Sequence, residues 1–338
     1  MNFLVRPVKR EDIDSICEIA KQFSLLNLPP VKTKITKIVE TSIQSFSGKL
    51  DRTKSRYMFV IEEIDTKKIA GCCQLVAKHG TELDPNYSIQ IIKKERFSED
   101  LGVGFIHQIL RLRMNEDGPT EIAGLVVDRG YRGRPEKIGR LLSLTRFLYI
   151  GLHQDRFEDE LLAEMAPPLS EDGRSDFWEA YGRRFTGMSY KEADTLSHEN
   201  KGFIKSLFPE EDIYLCLLDA KARLSIGRVG EETRPALHLL EKQGFKYNNE
   251  VDPFDGGPHV VAKKQEVTLI KKSQTVEVSG NGQKGYTEHY FIATEKEGSF
   301  KAGQTAATLE NDHLFLPERT MRALNLEEGD KVYISPVV

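Results

Sequence analysis

Apolar residues at Ile13, Ile16, Cys17, Ile19, Ala20 and Phe23 recur at helical spacing and predict an amphipathic helix over 12–23. After the break at Leu28-Pro29-Pro30, the same period returns through Ile35, Ile38, Val39, Ile43 and Phe46, predicting a helix over 33–46. A short strand, 4–6, precedes the first helix and is closed by Pro7. The β-rich runs 57–64 and 69–77, joined by Asp65-Thr66-Lys67-Lys68, read as a hairpin. The stretch 78–120 shows neither period and reads as loop. A strand over 121–127, a polar turn over 128–137, a helix over 138–152 and a strand over 160–165 follow.

This order fits a mixed α/β sheet with helices on its faces. Phe177-Trp178 to Phe185 reads as a short helix stopped near Gly182 and followed by a strand. A similar ending recurs at Gly244-Phe245, hinting at a tandem second half. Beyond Val261 short β-prone runs (267–270, 275–278, 289–293, 314–316, 331–334) predict a β-rich C-terminal appendage. The expected domains are 1–190, 191–265 and 266–338, the last being the appendage.

Charge narrows the partners. The 338 residues carry 48 basic and 52 acidic side chains, a net charge of -4, without the basic excess that nucleic-acid binding favours. The opening MNFLVRPVKREDID is too charged for a signal peptide, and no apolar run approaches the roughly 18 residues of a spanning helix. No membrane association is expected. Cys17, Cys72, Cys73 and Cys216 form neither a disulfide framework nor a zinc spacing, so reduced thiols, no metal and a cytoplasmic location are the expectation.

The stretch Arg132-Gly-Arg134-Pro-Glu-Lys137-Ile-Gly139-Arg140 places cations and glycines at a helix entrance directly after a strand. Free N–H groups and the helix dipole favour a pyrophosphate there. Position and composition resemble the coenzyme A loop of Gcn5-related acyltransferases, read as Arg134-x-x-Lys137-x-Gly139 with Lys where that pattern has its first Gly. Arg134, Lys137, Gly139 and Arg140 are the expected phosphate neighbours.

Longer segments resemble the arginine N-succinyltransferase family: Val5-Arg-Pro-Val8, Thr145-Arg-Phe147, Ala163-Glu-Met165, Gly182-Arg-Arg-Phe185, Gly244-Phe245 and Phe254-Asp-Gly-Gly-Pro258. The resemblance implies a Gcn5-related acyltransferase-like fold that transfers succinyl from succinyl-CoA, or another acyl-CoA, to the α-amine of arginine. It places an acyl-CoA contact at Leu125 and an oxyanion-binding main-chain N–H near Leu125 to Val127. It also implies a proton-donating His where this chain has Gly230, and an Arg where it has Ala166. Glu164 and His238 are candidate catalytic groups in the absence of that His; each has a surface role as its alternative. Asp252 and Asp255 suit a guanidinium or form only a turn. Arg183 and Arg184 suit a substrate carboxylate or form only a surface pair. Small-molecule amine and acyl-CoA partners and a homo- or hetero-oligomer are expected. A subunit that binds acyl-CoA with little catalysis, and a transferase for a different amine, are the alternatives.

Overall fold

The computed structural model describes residues 1–23, 28–170, 172–197, 200–280 and 285–337. In the first half of the chain the strands are β1 (Phe3–Pro7), β2 (Arg56–Glu63), β3 (Ile69–Val76), β4 (Asn86–Ser98), β5 (Val103–Asn115), β6 (Thr120–Val127) and β7 (Glu160–Glu164). They are followed by β8 (Ile213–Tyr214), β9 (Lys246–Val251), β10 (Pro258–Lys263), β11 (Gln274–Val278), β12 (Glu288–Lys296), β13 (Ser299–Glu310), β14 (His313–Phe315) and β15 (Lys331–Pro336). The helices are α1 (Ile13–Ala20), α2 (Lys32–Phe46), α3 (Ile138–Leu152), α4 (Asp176–Ala180), α5 (Gly182–Thr186) and α6 (Tyr190–Ser197), then α7 (Gly202–Leu207), α8 (Ala220–Ser225), α9 (Arg234–Lys242), α10 (Thr268–Lys272) and α11 (Glu318–Leu324). No helix among the described residues is long and apolar enough to cross a membrane.

The chain forms two compact units, neither contiguous in sequence. One comprises 1–78, 120–160 and 263–338; the other comprises 79–119 and 161–262.

In the first unit the strands run β12-β15-β11-β14-β13-β1-β2-β3-β6. Strand β12 also pairs along β13, so β12, β15, β11, β14 and β13 close into a ring. Closure removes the free edges that short strands would otherwise present. Its filling is Val276, Val278, Ile292, Leu314, Leu326 and Ile334, with Leu4 of β1 packed among them. Strand β1 continues the sheet beyond the ring, with Val5 opposite Ala302.

Helix α3 is apolar nearly all round, the pattern of a helix covered on every side. It lies against β3 and β6 and also against β12, β13 and α10. A Cβ on Gly151 would stand 2.5 Å from the Tyr333 hydroxyl of β15, so only Gly allows the tail this close. Arg6, in the Val5-Arg-Pro segment, is structural: it donates to Asp12 at 2.8 and 2.9 Å and to Glu62 at 2.9 Å.

The second unit orders its strands β7-β10-β9-β4-β5-β8. Strands β4 and β5 pair through thirteen opposed positions, from Asn86 opposite Asn115 to Ser98 opposite Val103. Among the described residues, neighbouring strands reach only Ile89 and Gln90 on one side and Ile109 and Leu110 on the other. The rest is a two-stranded ribbon carrying exposed Phe97, Leu101, Phe105 and Ile106.

Three local expectations are corrected. Within 78–120, residues 86–115 are the β4–β5 pair rather than loop. The run 183–186, read as the start of a strand, is helix α5, ended by Gly187 in the left-handed region. The run 267–270, read as a strand, enters α10, whose Leu269 and Ile270 are buried on one side.

Candidate active site

In the first unit, β6 carries a bulge. Cys72 stands opposite Val126 and Gln74 opposite Ala123, so Gly124 and Leu125 together face Cys73. Gly124 has φ +57°, and a Cβ there would meet the Gln74 amide at 2.9 Å. A bulge of this kind takes residues out of the ladder and re-aims the strand, here at half-buried Leu125 and before buried Val127. Arg146, buried within α3, braces it: its guanidinium donates to the Ala123 carbonyl at 3.0 Å, to the Ser143 carbonyl at 3.0 Å and to Ser143 Oγ at 2.8 Å. The Thr145-Arg-Phe147 segment therefore fixes the strand from beneath.

After β6, Asp128 accepts the Gly130 N–H at 2.7 Å and turns the chain toward α3. The helix begins without a side-chain cap, which leaves its first N–H groups to an incoming acceptor. Lys137, at the N-cap, has φ 52° and ψ 51°. It stands where the pattern has Gly and adopts the left-handed conformation Gly would take without strain.

The cations around this entrance differ in freedom. Lys137 is exposed. Arg134 lies over the Tyr131 ring at 4.0 Å and pairs with Glu63 at 3.5 Å. Arg140 turns inward, stacking over Phe291 and donating to Gln304 at 3.2 Å. Lys137 is therefore the expected phosphate neighbour least engaged by the protein.

In the second unit, the turn Phe254-Asp-Gly-Gly-Pro258 folds back on β7. Asp252 Oδ1 accepts the N–H groups of Phe254 and Asp255 at 2.7 and 2.8 Å, and Asp255 Oδ1 accepts that of Gly257 at 2.7 Å. Gly256 needs φ +76°, and a Cβ on Gly257 would stand 2.2 Å from the Met165 carbonyl. Both Asp side chains thus build the turn, and its close approach brings Asp252 beside the end of β7.

There the turn joins Glu164. His79 Nε2 and His259 Nε2 each lie 3.6 Å from Glu164 Oε1. One ligand atom each from Glu164, Asp252 and His259 falls within 4.8 Å of the others. His259 is 1% exposed and its Nε2 has no hydrogen-bond partner among the described residues; the Glu164 side chain keeps 29% of its exposure.

The cluster polarises its members. Burial pushes the Glu164 carboxyl up, but His79 beside it and the charges of His259, His79 and Lys201 outweigh burial and hold the group at about 2. Burial and the charges of Asp255 and Glu164 push Asp252 well above the usual carboxylate range. Burial, with Glu164 and Asp194 nearby, pushes Asp255 up to about 7. Burial lowers the His259 imidazole despite Glu164 beside it. An ionised Glu164 beside two raised carboxyls and a neutral imidazole offers acceptors to a cation or a proton donor.

The other expected site residues lie elsewhere. His238 is exposed on α9. Arg183 pairs with Glu179 one turn earlier at 2.7 Å, and Arg184 approaches Asp219 at 3.8 Å; both remain largely exposed. Trp178 is a core anchor, stacked on Phe254 with centroids 5.4 Å apart, and Gly182 leaves room for its ring. Gly230 donates its N–H to the Ala166 carbonyl at 2.9 Å, and a Cβ there would stand 2.9 Å from the Pro167 carbonyl. The departures at 166 and 230 are thus neighbours, just past Glu164. Sequence reading did not single out His79 or His259, since neither stands in a motif or at a ligand spacing.

The profile described as "Arginine N-succinyltransferase beta subunit" matches residues 3–269, and that of its C-terminal domain matches 274–336. The chain belongs to the arginine N-succinyltransferase family. Proteins named arginine N-succinyltransferase from Citrobacter koseri and Escherichia coli are 32% identical to it over 97% of this chain and 96% of theirs. The solved arginine/ornithine succinyltransferase subunit AI of Pseudomonas aeruginosa superimposes with a TM-score of 0.87 at 25% identity, covering 100% of this chain and 99% of that one. The arginine N-succinyltransferase family match thus takes in the ring of C-terminal strands as well as both site-bearing turns.

Proposed function

We propose that this protein is a cytoplasmic N-acyltransferase that moves succinyl from succinyl-CoA to the α-amine of L-arginine, in arginine catabolism. The observation that carries this reading is the end-to-end match to proteins of that name. The bulged β6 and uncapped α3 support it as a place for a thioester and pyrophosphate. In this reading Leu125 and Val127 flank the thioester, while Lys137, Gly139, Arg134 and Arg140 surround the phosphates. Main-chain donors aimed at the tetrahedral oxyanion are worth roughly 3 kcal/mol. The carboxyls of Glu164, Asp252 and Asp255 receive the cationic acceptor. The exposed apolar residues of the β4–β5 ribbon support an oligomeric protein.

Thiol release measured with succinyl- and acetyl-CoA against arginine, ornithine and lysine tests this reading. Turnover with succinyl-CoA and arginine is expected. A second reading, an acyl-CoA-binding subunit with little catalysis, is favoured by one observation: the backbone around Gly230 has closed on the space a side chain would need. Coenzyme A binding with no thiol release from any pair would establish it instead.

A further inference from the structure

Glu164, Asp252 and His259 form a three-acceptor pocket that no single sequence motif contains. Each comes from a different segment: the end of β7, the turn after β9, and β10. The pairing of β7 with the start of β10 is set by the Met165 N–H, which donates to the Pro258 carbonyl at 3.1 Å. That bond places His259 next along β10 and Glu164 just before Met165, so the imidazole meets the carboxylate by register. A primary ammonium donates three hydrogen bonds in near-tetrahedral directions. At about 2.8 Å each, its acceptors stand about 4.6 Å apart. The three ligand atoms all lie within 4.8 Å of one another, and the nearest pair, His259 Nε2 and Glu164 Oε1 at 3.6 Å, must part by about 1 Å to seat the ammonium. The His259–Glu164 separation of 3.6 Å is too long for a hydrogen bond between them, and a shared guest would bridge it.

We propose that this pocket binds the reacting ammonium of the acceptor and that His259 Nε2 is the base that takes its proton. The inference rests on the acyltransferase reading and adds to it the seat of the amine and the group that activates it. His259 Nε2 is buried and unpartnered, so an ammonium N–H would give it the partner it lacks. Burial also keeps the imidazole neutral at ordinary pH, the state a base requires. Four charged or titratable groups face it: Glu164 on β7, Asp252 in the turn, Glu250 on β9 and His79 ahead of β4.

The step balances. One ammonium proton passes to His259 Nε2, freeing the nitrogen lone pair. The amine attacks the thioester carbonyl carbon, forming the C–N bond, and the C–S bond breaks as the tetrahedral intermediate collapses. The nitrogen loses a second proton, the departing thiolate takes up one, and the imidazolium returns the other to solvent. Glu164 is partly exposed, with His79 Nε2 3.6 Å from its Oε1.

Calorimetry on the full chain, without acyl-CoA, tests the pocket, with L-arginine and Nα-acetyl-L-arginine as probes. Glu164→Gln and His259→Ala are each expected to weaken L-arginine binding at least tenfold. Nα-acetyl-L-arginine, which has no α-ammonium, should bind wild type and variants equally weakly. The pH profile of kcat/KM for arginine should lose its acid limb in His259→Ala, which a merely structural histidine would not cause. Glu164→Gln guards against a folding defect in the histidine variant, since it keeps shape and exposure. Unchanged L-arginine affinity in Glu164→Gln, or no binding by wild type, overturns the inference. So does stoichiometric Zn²⁺ binding that depends on His259 while arginine binding does not. Thiol release by the wild type judges the acyltransferase reading separately.

Discussion

At the start of α3, residues 132–140 supply turn, cations and free N–H groups in one uninterrupted stretch. Glu164, Asp252, His259 and His79 come from four segments that only the folded second unit assembles. The two regions also differ in what holds them. The helix entrance rests on a fully covered helix and a buried arginine that grips the bulge. The acidic cluster rests on a glycine-tight turn, with Glu164 held ionised by His79, His259 and Lys201 and with Asp252 and Asp255 pushed toward their neutral forms. A site for a conserved-shape ligand such as a pyrophosphate can be built from backbone on a rigid element. A site for a small cation is built from side chains, and so it can be rebuilt by moving a few of them.

The largest expected effect removes the support of the first region alone. Truncation after Gly280 takes away β12 and β13, which cover α3, and β15, whose Tyr333 packs on Gly151. Coenzyme A binding should be lost and the melting transition should broaden or vanish, as read by calorimetry and circular dichroism. An unchanged melting temperature would mean that the tail only decorates the helix.

Gly230→His probes the second region. A side chain there must displace the Pro167 carbonyl, so the variant should lose about 1–3 kcal/mol of stability and show no gain in turnover. A faster enzyme would show that the closed backbone reopens readily.

Asp255→Asn sharpens the contrast in charge. The Asp255 carboxyl sits at about 7 in the fold against an ordinary 3.8. Its contribution to stability is therefore fully present below about pH 4 and lost as pH rises through 7. Asparagine keeps an acceptor for the Gly257 N–H and removes the charge. The melting temperature should rise by about 2–4 °C at pH 8 and change little near pH 4. Equal shifts at both values would show that charge is not the cause.

The smallest effect falls on Lys137. Lys137→Gly relieves a left-handed lysine and should gain about 0.5–1 kcal/mol. It also removes an exposed cation, so coenzyme A affinity should fall a few-fold in calorimetry while the protein melts higher. If affinity holds, the backbone N–H groups carry the anion unaided.

How far each region could be read in advance follows from how it is built. Helix α3 was legible to its ends, since strand, turn and helix signals lie side by side. The acidic cluster was legible in part. Glu164, Asp252 and Asp255 stood out beside family-like segments, whereas His79 and His259 did not, because the β7–β10 register that joins them has no signature in the chain. The β4–β5 ribbon was missed for another reason. Over Lys93-Lys-Glu-Arg-Phe-Ser-Glu-Asp100 it is exposed on both faces, so no alternation of burial marks it as a strand. Arg183 and Arg184 looked like ligands for a carboxylate because sequence does not show that Glu179, one helical turn away, already provides one.

The pairing of Val5 with Ala302 sets a timetable for synthesis. Strand β1 is made shortly before β2, which can join it early, but its other neighbour is made nearly three hundred residues later. At about 5–20 residues per second that is a wait of about 15–60 s, during which Phe3 to Pro7 present an unpaired edge and Leu4 lacks the ring that buries it. On the nascent chain this edge stays open to a neighbouring polypeptide until β13 is made.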